Sequence, residues 1–157
     1  MNTLLAAAIQ MVSGPDVTAN LATAKRLIKD AAMAGAQLIV LPEYFAIMGT
    51  KDSDKVAVKE AFAQGPIQDF LAAAAKEHAV WLVGGTVPLA CPDEARVNNS
   101  CLVYSPTGEC VARYDKMHLF GFDNGTECFR EADTILAGQQ PVAFDTPFGR
   151  VGLSVCY

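Results

Sequence analysis

Residues 37–44 read Q37-L-I-V-L-P-E-Y44. Four consecutive apolar residues, Leu38–Leu41, stop at Pro42 and are followed at once by an acid, Glu43. A run this short, apolar on every side chain and rich in branched residues, reads as a strand covered on both faces. Upstream, apolar residues fall at Val17, Leu21, Ala24, Leu27, Ile28, Ala31 and Ala32, in steps of three and four. That spacing predicts an amphipathic helix, with Asp16 or Thr18 as its cap and Gly35 as its stop. Before it, Leu4–Met11 reads as a first strand, not as a signal peptide, because no basic residues precede it and Gln10 interrupts it. Strand, helix and strand in that order predict a parallel pair.

Downstream, residues 44–57 form a connection, with a weak helical pattern near 54–63. Gly65-Pro66 opens the next helix, with proline at its first position and Ile67, Phe70, Leu71 and Ala74 on one face. Val80–Val87 reads as a third, fully apolar strand. The first half thus alternates strand and helix, the pattern of an α/β fold. The second half changes character. Asn99–Tyr104 and Glu109–Tyr114 flank S105-P-T-G108, and Phe144 and Val151–Val155 flank T146-P-F-G149. Both tetrapeptides place proline and glycine where a type I turn wants them. Two hairpins added to a sheet that begins parallel make the sheet mixed.

The 157 residues are read as one domain. Net charge is −5 and no run of Lys or Arg occurs, which argues against a nucleic-acid partner. No apolar stretch is long enough to span a membrane. The five cysteines, Cys91, Cys101, Cys110, Cys128 and Cys156, contain no C-x-x-C pair, and there are two histidines. A metal site is therefore poorly supported, a thiol redox role lacks a resolving pair, and the cysteines read as free thiols of a cytoplasmic protein.

Three residues stand out chemically. Glu43 follows the carboxyl end of a buried strand, where ligands collect in open α/β sheets, and it can serve as a general base. Taken alone it reads more readily as an ordinary loop glutamate. Lys116, in Y114-D-K-M-H-L-F120, lies just past a hairpin strand in apolar company. Beside Asp115 it could be a solvated surface pair; partly buried, it could stabilise an oxyanion. Cys156 ends the expected strand Val151–Val155, where a nucleophile elbow would place a thiol, or where a buried structural cysteine would sit. His118 reads as structural more readily than as a catalytic base, and Cys101 and Cys110 as structural. Glu127 and Glu131 lie in the loop between Lys116 and the last hairpin.

L41-P-E-Y44, Y114-D-K-M-H-L-F120 and G152-L-S-V-C-Y157 together resemble the nitrilase superfamily of carbon–nitrogen hydrolases. The resemblance covers the chain from its first strand. The order is that family's Glu–Lys–Cys, with 73 residues from Glu43 to Lys116 and 40 from Lys116 to Cys156. F129-R-E-A-D133 resembles the segment carrying the family's second glutamate, which points to Glu131, with Glu127 as the alternative. D-K-M-H-L-F and D-T-P-F-G-R-V-G-L-S-V-C-Y are most similar to Nit-type amidases, ω-amidase and deaminated-glutathione amidase among them; F122-D-N-G-T126 departs from them in composition. The resemblance implies an α-β-β-α sandwich with mixed sheets, of which residues 1–157 are the N-terminal portion. It implies no cofactor, a homodimer when complete, and a small linear amide as substrate, with nitriles and N-carbamoyl compounds as alternatives. Cys156 is then the nucleophile, Glu43 the base, and Lys116 with the backbone N–H of Tyr157 the oxyanion hole. The rival expectation is a non-catalytic relative or fragment, with residues 1–157 insoluble or inactive when made alone.

Overall fold

The computed structural model describes residues 4–156. Its centre is a mixed sheet in which β1 (Ala6–Ala8), β2 (Leu38–Val40) and β3 (Trp81–Val83) pair in parallel. β5 (Val97–Tyr104) runs antiparallel to β3 and carries β6 (Cys110–Asp115) on its other edge. β4 (Val87–Ala90) lies end to end with β3 along β5, pairing Val87 with Ser100 and Ala90 with Val97. The expected single strand Val80–Val87 is thus two strands. The break falls at Gly84–Thr86, where Gly85 takes φ +53° and a Cβ on it would collide with the Pro42 carbonyl oxygen. Only glycine permits that approach.

Period-two alternation sends one side chain in two to each face of the sheet. Ile39, Leu41, Leu82, Leu102 and Tyr104 face α1 (Val17–Met33) and α3 (Pro66–His78) and join Ala24, Ile28, Ile67 and Leu71 in one core. Asp16 caps α1 by accepting from the Ala19 N–H, and Pro66 opens α3, as their sequences predict. Leu38, Val83, Cys101, Val103 and Tyr114 face the other way, onto Phe144, Val151, Leu153 and Val155. Most of these belong to the hairpin of β9 (Ala143–Thr146) and β10 (Gly149–Gly152) and the chain just after it. The layers are helices, sheet and hairpin.

Four further expectations need correction. The second hairpin forms its own two-stranded sheet instead of extending the main one. Its second strand stops at Gly152, so Cys156 lies four residues beyond the strand, not at its tip. The helical pattern near 54–63 shrinks to α2 (Asp54–Ala57). A third hairpin, β7 (Gly121–Asp123) with β8 (Cys128–Arg130), occupies what the sequence leaves as loop. All of its strand residues are exposed, so no buried face marks it in the sequence. Among the described residues no helix is long and apolar enough to cross a membrane.

Candidate active site

Glu43 sits where β2 ends, and the break in β3 shapes its surroundings. With no side chain at Gly85, the chain at Pro42 passes close beneath it, and Tyr44 turns with φ +57°. The Thr86 hydroxyl accepts the Tyr44 N–H at 2.8 Å and holds that otherwise costly conformation. Lys116 follows β6 directly. Its N–H donates to the Asn99 carbonyl at 2.9 Å, and its own carbonyl accepts from the Gly138 N–H at 2.9 Å. Glu131 opens a 3-10 turn after β8, and its N–H donates to the Phe120 carbonyl at 3.0 Å.

These three anchors bring the charges together. The Lys116 ammonium, 1% exposed, lies 2.9 Å from Glu43 Oε1, and 3.0 Å and 2.8 Å from Glu131 Oε1 and Oε2. Glu131 is itself buried and accepts from the Tyr44 hydroxyl at 2.9 Å and the Phe120 N–H at 2.7 Å. Asn99, 2% exposed, donates through Nδ2 to Glu43 Oε1 at 2.9 Å. Both donors to Glu43 therefore use Oε1, and Oε2 accepts no hydrogen bond among the described residues. Lys116 does not pair with Asp115, whose carboxylate takes the Arg113 guanidinium and the Ser100 hydroxyl.

One cation between two carboxylates leaves one negative charge in excess. Burial acts to lower the Lys116 pKa, but the hydrogen bonds and charges of Glu131 and Glu43 outweigh it and hold the ammonium above its ordinary range. Burial likewise raises Glu131, yet Lys116, the Phe120 N–H and the Tyr44 hydroxyl hold its carboxyl below the usual carboxylate range. Burial, with the charge and hydrogen bond of Glu131, pushes the Tyr44 phenol far up, so it remains a donor.

Cys156 reaches the site differently. Leu153 donates to the Val142 carbonyl at 2.9 Å, and Leu153 and Val155 pack on the sheet, whereas Cys156 is exposed with φ +63°. It lines a cavity of about 130 Å³ together with Glu43, Val83, Thr86 and Cys101. No hydrogen bond joins it to the Glu43–Lys116–Glu131 cluster among the described residues. Burial pushes the Cys101 thiol up to about 12, so the second thiol on this cavity stays protonated. His118, expected to pack, is exposed, and with Leu119, Phe120 and Gly121 it lines a cleft on another side of Cys156. Glu127 is exposed in the β7–β8 turn, so Glu131 is the second carboxylate at Lys116. Tyr157 lies outside the described residues. Among those residues no three His, Cys, Asp or Glu side chains converge as metal ligands.

Sequence reasoning misses Tyr44, Thr86 and Asn99. Asn99 does leave a trace: Asn98-Asn99-Ser100 is a polar run inside a strand whose every residue is buried. Buried polar side chains need partners, and here one partner is Glu43.

Residues 5–157 match the carbon-nitrogen hydrolase family. The chain is 36% identical over 151 residues to omega-amidase NIT2-B of Xenopus laevis, an alignment covering 95% of this chain and 53% of that protein. It is 38% identical over 163 residues to the deaminated glutathione amidase of Synechocystis sp., covering 100% of this chain and 58% of that one. The chain spans about half the length of these relatives. The crystal structure of the C. elegans NitFhit protein matches 96% of this chain and 37% of its own, with TM-score 0.85 and 30% identity. By this agreement of sequence and fold, the chain belongs to the carbon–nitrogen hydrolase family, within the Nit branch of the nitrilase superfamily.

Proposed function

We propose that the protein hydrolyses a small linear amide, an ω-amide of a dicarboxylic acid or deaminated glutathione, and releases ammonia through a thioester on Cys156. One observation carries the reading: a buried ammonium, Lys116, is clamped between two carboxylates, one of which faces the cavity that Cys156 lines. The names of the relatives, omega-amidase and deaminated glutathione amidase, support the substrate class.

In this reading Glu43 takes the Cys156 thiol proton on Oε2, the oxygen without a donor. The thiolate adds to the amide carbon, and a C–S bond forms as the carbonyl π pair moves to oxygen. Protonation of Glu43 removes one of the two negative charges on Lys116. Its ammonium can then turn toward the new oxyanion, with the Tyr157 N–H as second donor. Glu131 retains its charge and keeps Lys116 cationic throughout. Collapse of the tetrahedral adduct breaks the C–N bond, and Glu43 returns its proton to the departing ammonia. Glu43 then removes a proton from water, which adds to the thioester. The C–S bond breaks, the carboxylic acid leaves, and Glu43 reprotonates the thiol.

In the full-length protein, Cys156→Ala is expected to abolish ammonia release from ω-amides. Undiminished turnover would overturn the assignment. Parallel assays with a nitrile and an N-carbamoyl amino acid of equal chain length should give slower release than the amide; faster release would replace the substrate class.

A further inference from the structure

The loop that follows Glu43 encloses a second cavity, of about 260 Å³, lined by Tyr44, Ile47, Met48, Gly49, Lys51, Asp52, Lys55 and Phe129. Its walls are apolar apart from two cations and one acid, so it carries net positive charge in a chain whose total is −5. Lys55 is the better placed cation. Its side chain is 11% exposed, its Nζ lies 5.6 Å from the Tyr44 ring centroid, and it donates to the Thr134 hydroxyl at 3.2 Å. Its one ion-pair partner among the described residues, Asp52, is 3.7 Å away and half exposed, a weak and screened pair. Lys51 makes no ion pair among the described residues.

This cavity borders the Lys116–Glu131 ion pair. Tyr44 is its wall, and the same Tyr44 donates its hydroxyl to Glu131 at 2.9 Å. Thr134, which accepts from Lys55, closes the 3-10 turn that Glu131 opens, its N–H bonded to the Glu131 carbonyl at 3.0 Å. The loop is also fixed before any ligand arrives. Ser13 Oγ donates to the Phe45 carbonyl at 3.0 Å, Asn20 Nδ2 to the Ala46 carbonyl at 2.9 Å, and the Met48 N–H to the Gly14 carbonyl at 3.0 Å. Asp54 Oδ2 accepts the Thr50 and Lys51 N–H groups at 2.8 Å and 3.0 Å, which sets where α2 and Lys55 begin. A preformed, largely apolar pocket with a few convergent polar groups suits a small ligand with one charged end.

We propose that this cavity is the subsite for the far end of the substrate: Lys55, assisted by Lys51, binds the carboxylate remote from the scissile amide, and Tyr44, Met48 and Phe129 pack on the methylenes between. The proposal rests on the amidase reading for its substrate. The cavity's own charge and shape define the ligand as a short aliphatic chain ending in an anion.

The test pairs turnover with binding. Glutaramate and its methyl ester carry the same amide and differ only at the far carboxylate. Lys55→Met is expected to raise KM for glutaramate about tenfold or more, the loss of one charge-assisted hydrogen bond, with kcat little changed. The ester should be unaffected, and Lys55→Arg should restore the acid. Equal effects on acid and ester, or none on either, overturn the subsite. Glutarate, which cannot be hydrolysed, gives the independent readout: calorimetry should show it binding to Cys156→Ala and binding at least about tenfold more weakly when Lys55→Met is added. If no amide is turned over by the wild type yet glutarate binds through Lys55, the amidase reading fails and the anion subsite stands. If amides are turned over and glutarate ignores Lys55, the subsite fails alone.

Discussion

Glu43, Lys116 and Glu131 on one side of the site, and Cys156 on the other, are built in opposite ways. The ionic cluster hangs from the ends of β2, β6 and β8, is buried at Lys116 and Glu131 with Glu43 at its partly exposed edge, and is cross-braced by Tyr44, Asn99 and the Phe120 N–H. Cys156 follows an irregular stretch past β10, is exposed, and among the described residues is linked to the cluster only through a shared cavity. The half that must hold charge out of water is rigid, because an uncompensated buried charge costs more than almost any other local fault. The half that attacks in the proposed mechanism is open, because a nucleophile has to be reached. The cluster should therefore govern stability and catalysis together, and Cys156 catalysis alone.

The largest expected effect tests that division. Lys116→Met leaves two carboxylates facing each other without their cation and should cost about 3–5 kcal/mol of stability, read as a lowered urea midpoint. Adding Glu131→Gln should recover part of the loss. If the two substitutions are additive, the cluster is not a unit. Next comes Asn99→Ala, expected to cost about 1–3 kcal/mol and to slow turnover, because Glu43 loses a buried donor and with it the constraint that leaves Oε2 bare. A wild-type pH profile of turnover in this variant would remove Asn99 from the positioning of the base.

The third is a pH dependence. The folded Glu131 carboxyl lies below its ordinary 4.5, so its contribution is complete above that value and is lost as pH falls through the lower folded one. Lys116, raised above 10.5, contributes fully below that value and loses its contribution as pH rises through the higher folded one. Glu131→Gln should flatten the acid limb of urea stability; an unchanged limb would assign acid sensitivity elsewhere. The smallest effect completes the contrast. Cys156→Ala, though expected to be inactive, should stay within about 0.5 kcal/mol of the wild type, as exposed positions do. A large destabilisation would mean that Cys156 packs in solution more tightly than its exposure indicates.

How far the sequence discloses this site follows from where each residue's partners lie. Glu43 and Lys116 each sit immediately after a strand with a recognisable apolar pattern, so their positions can be read locally, and the distinctive residues around Cys156 and Glu131 supply the rest. Asn99, Thr86 and Tyr44 gain their roles only across the sheet, at separations of 56, 42 and 87 residues from their partners. No local period encodes such contacts. The strand Val80–Val87 misleads for the converse reason. Its apolar run is continuous, but Gly84-Gly85 interrupts the pairing where Pro42 passes. Glycine pairs within strands mark close backbone approach, and that signal outweighs hydropathy here. The β7–β8 hairpin is illegible because both of its faces meet solvent.

The bonds at Lys116 have a temporal consequence. The ion pair between Glu43 and Lys116 joins residues 73 positions apart in the chain, and the Tyr44–Glu131 hydrogen bond joins residues 87 apart. An emerging polypeptide that has already laid down β1, α1 and β2 carries Glu43 in water, with neither its cation nor Asn99 in place. Contacts of such long range form late, once loop closure has been overcome by the surrounding structure. The ionic cluster is thus expected to assemble near the end of folding, and the Tyr44 amide, bonded to Thr86 42 residues away, should gain protection from hydrogen exchange after the amides of α1 and α3. A chain caught part-way would hold a formed helical layer and a base that has nothing yet to act upon.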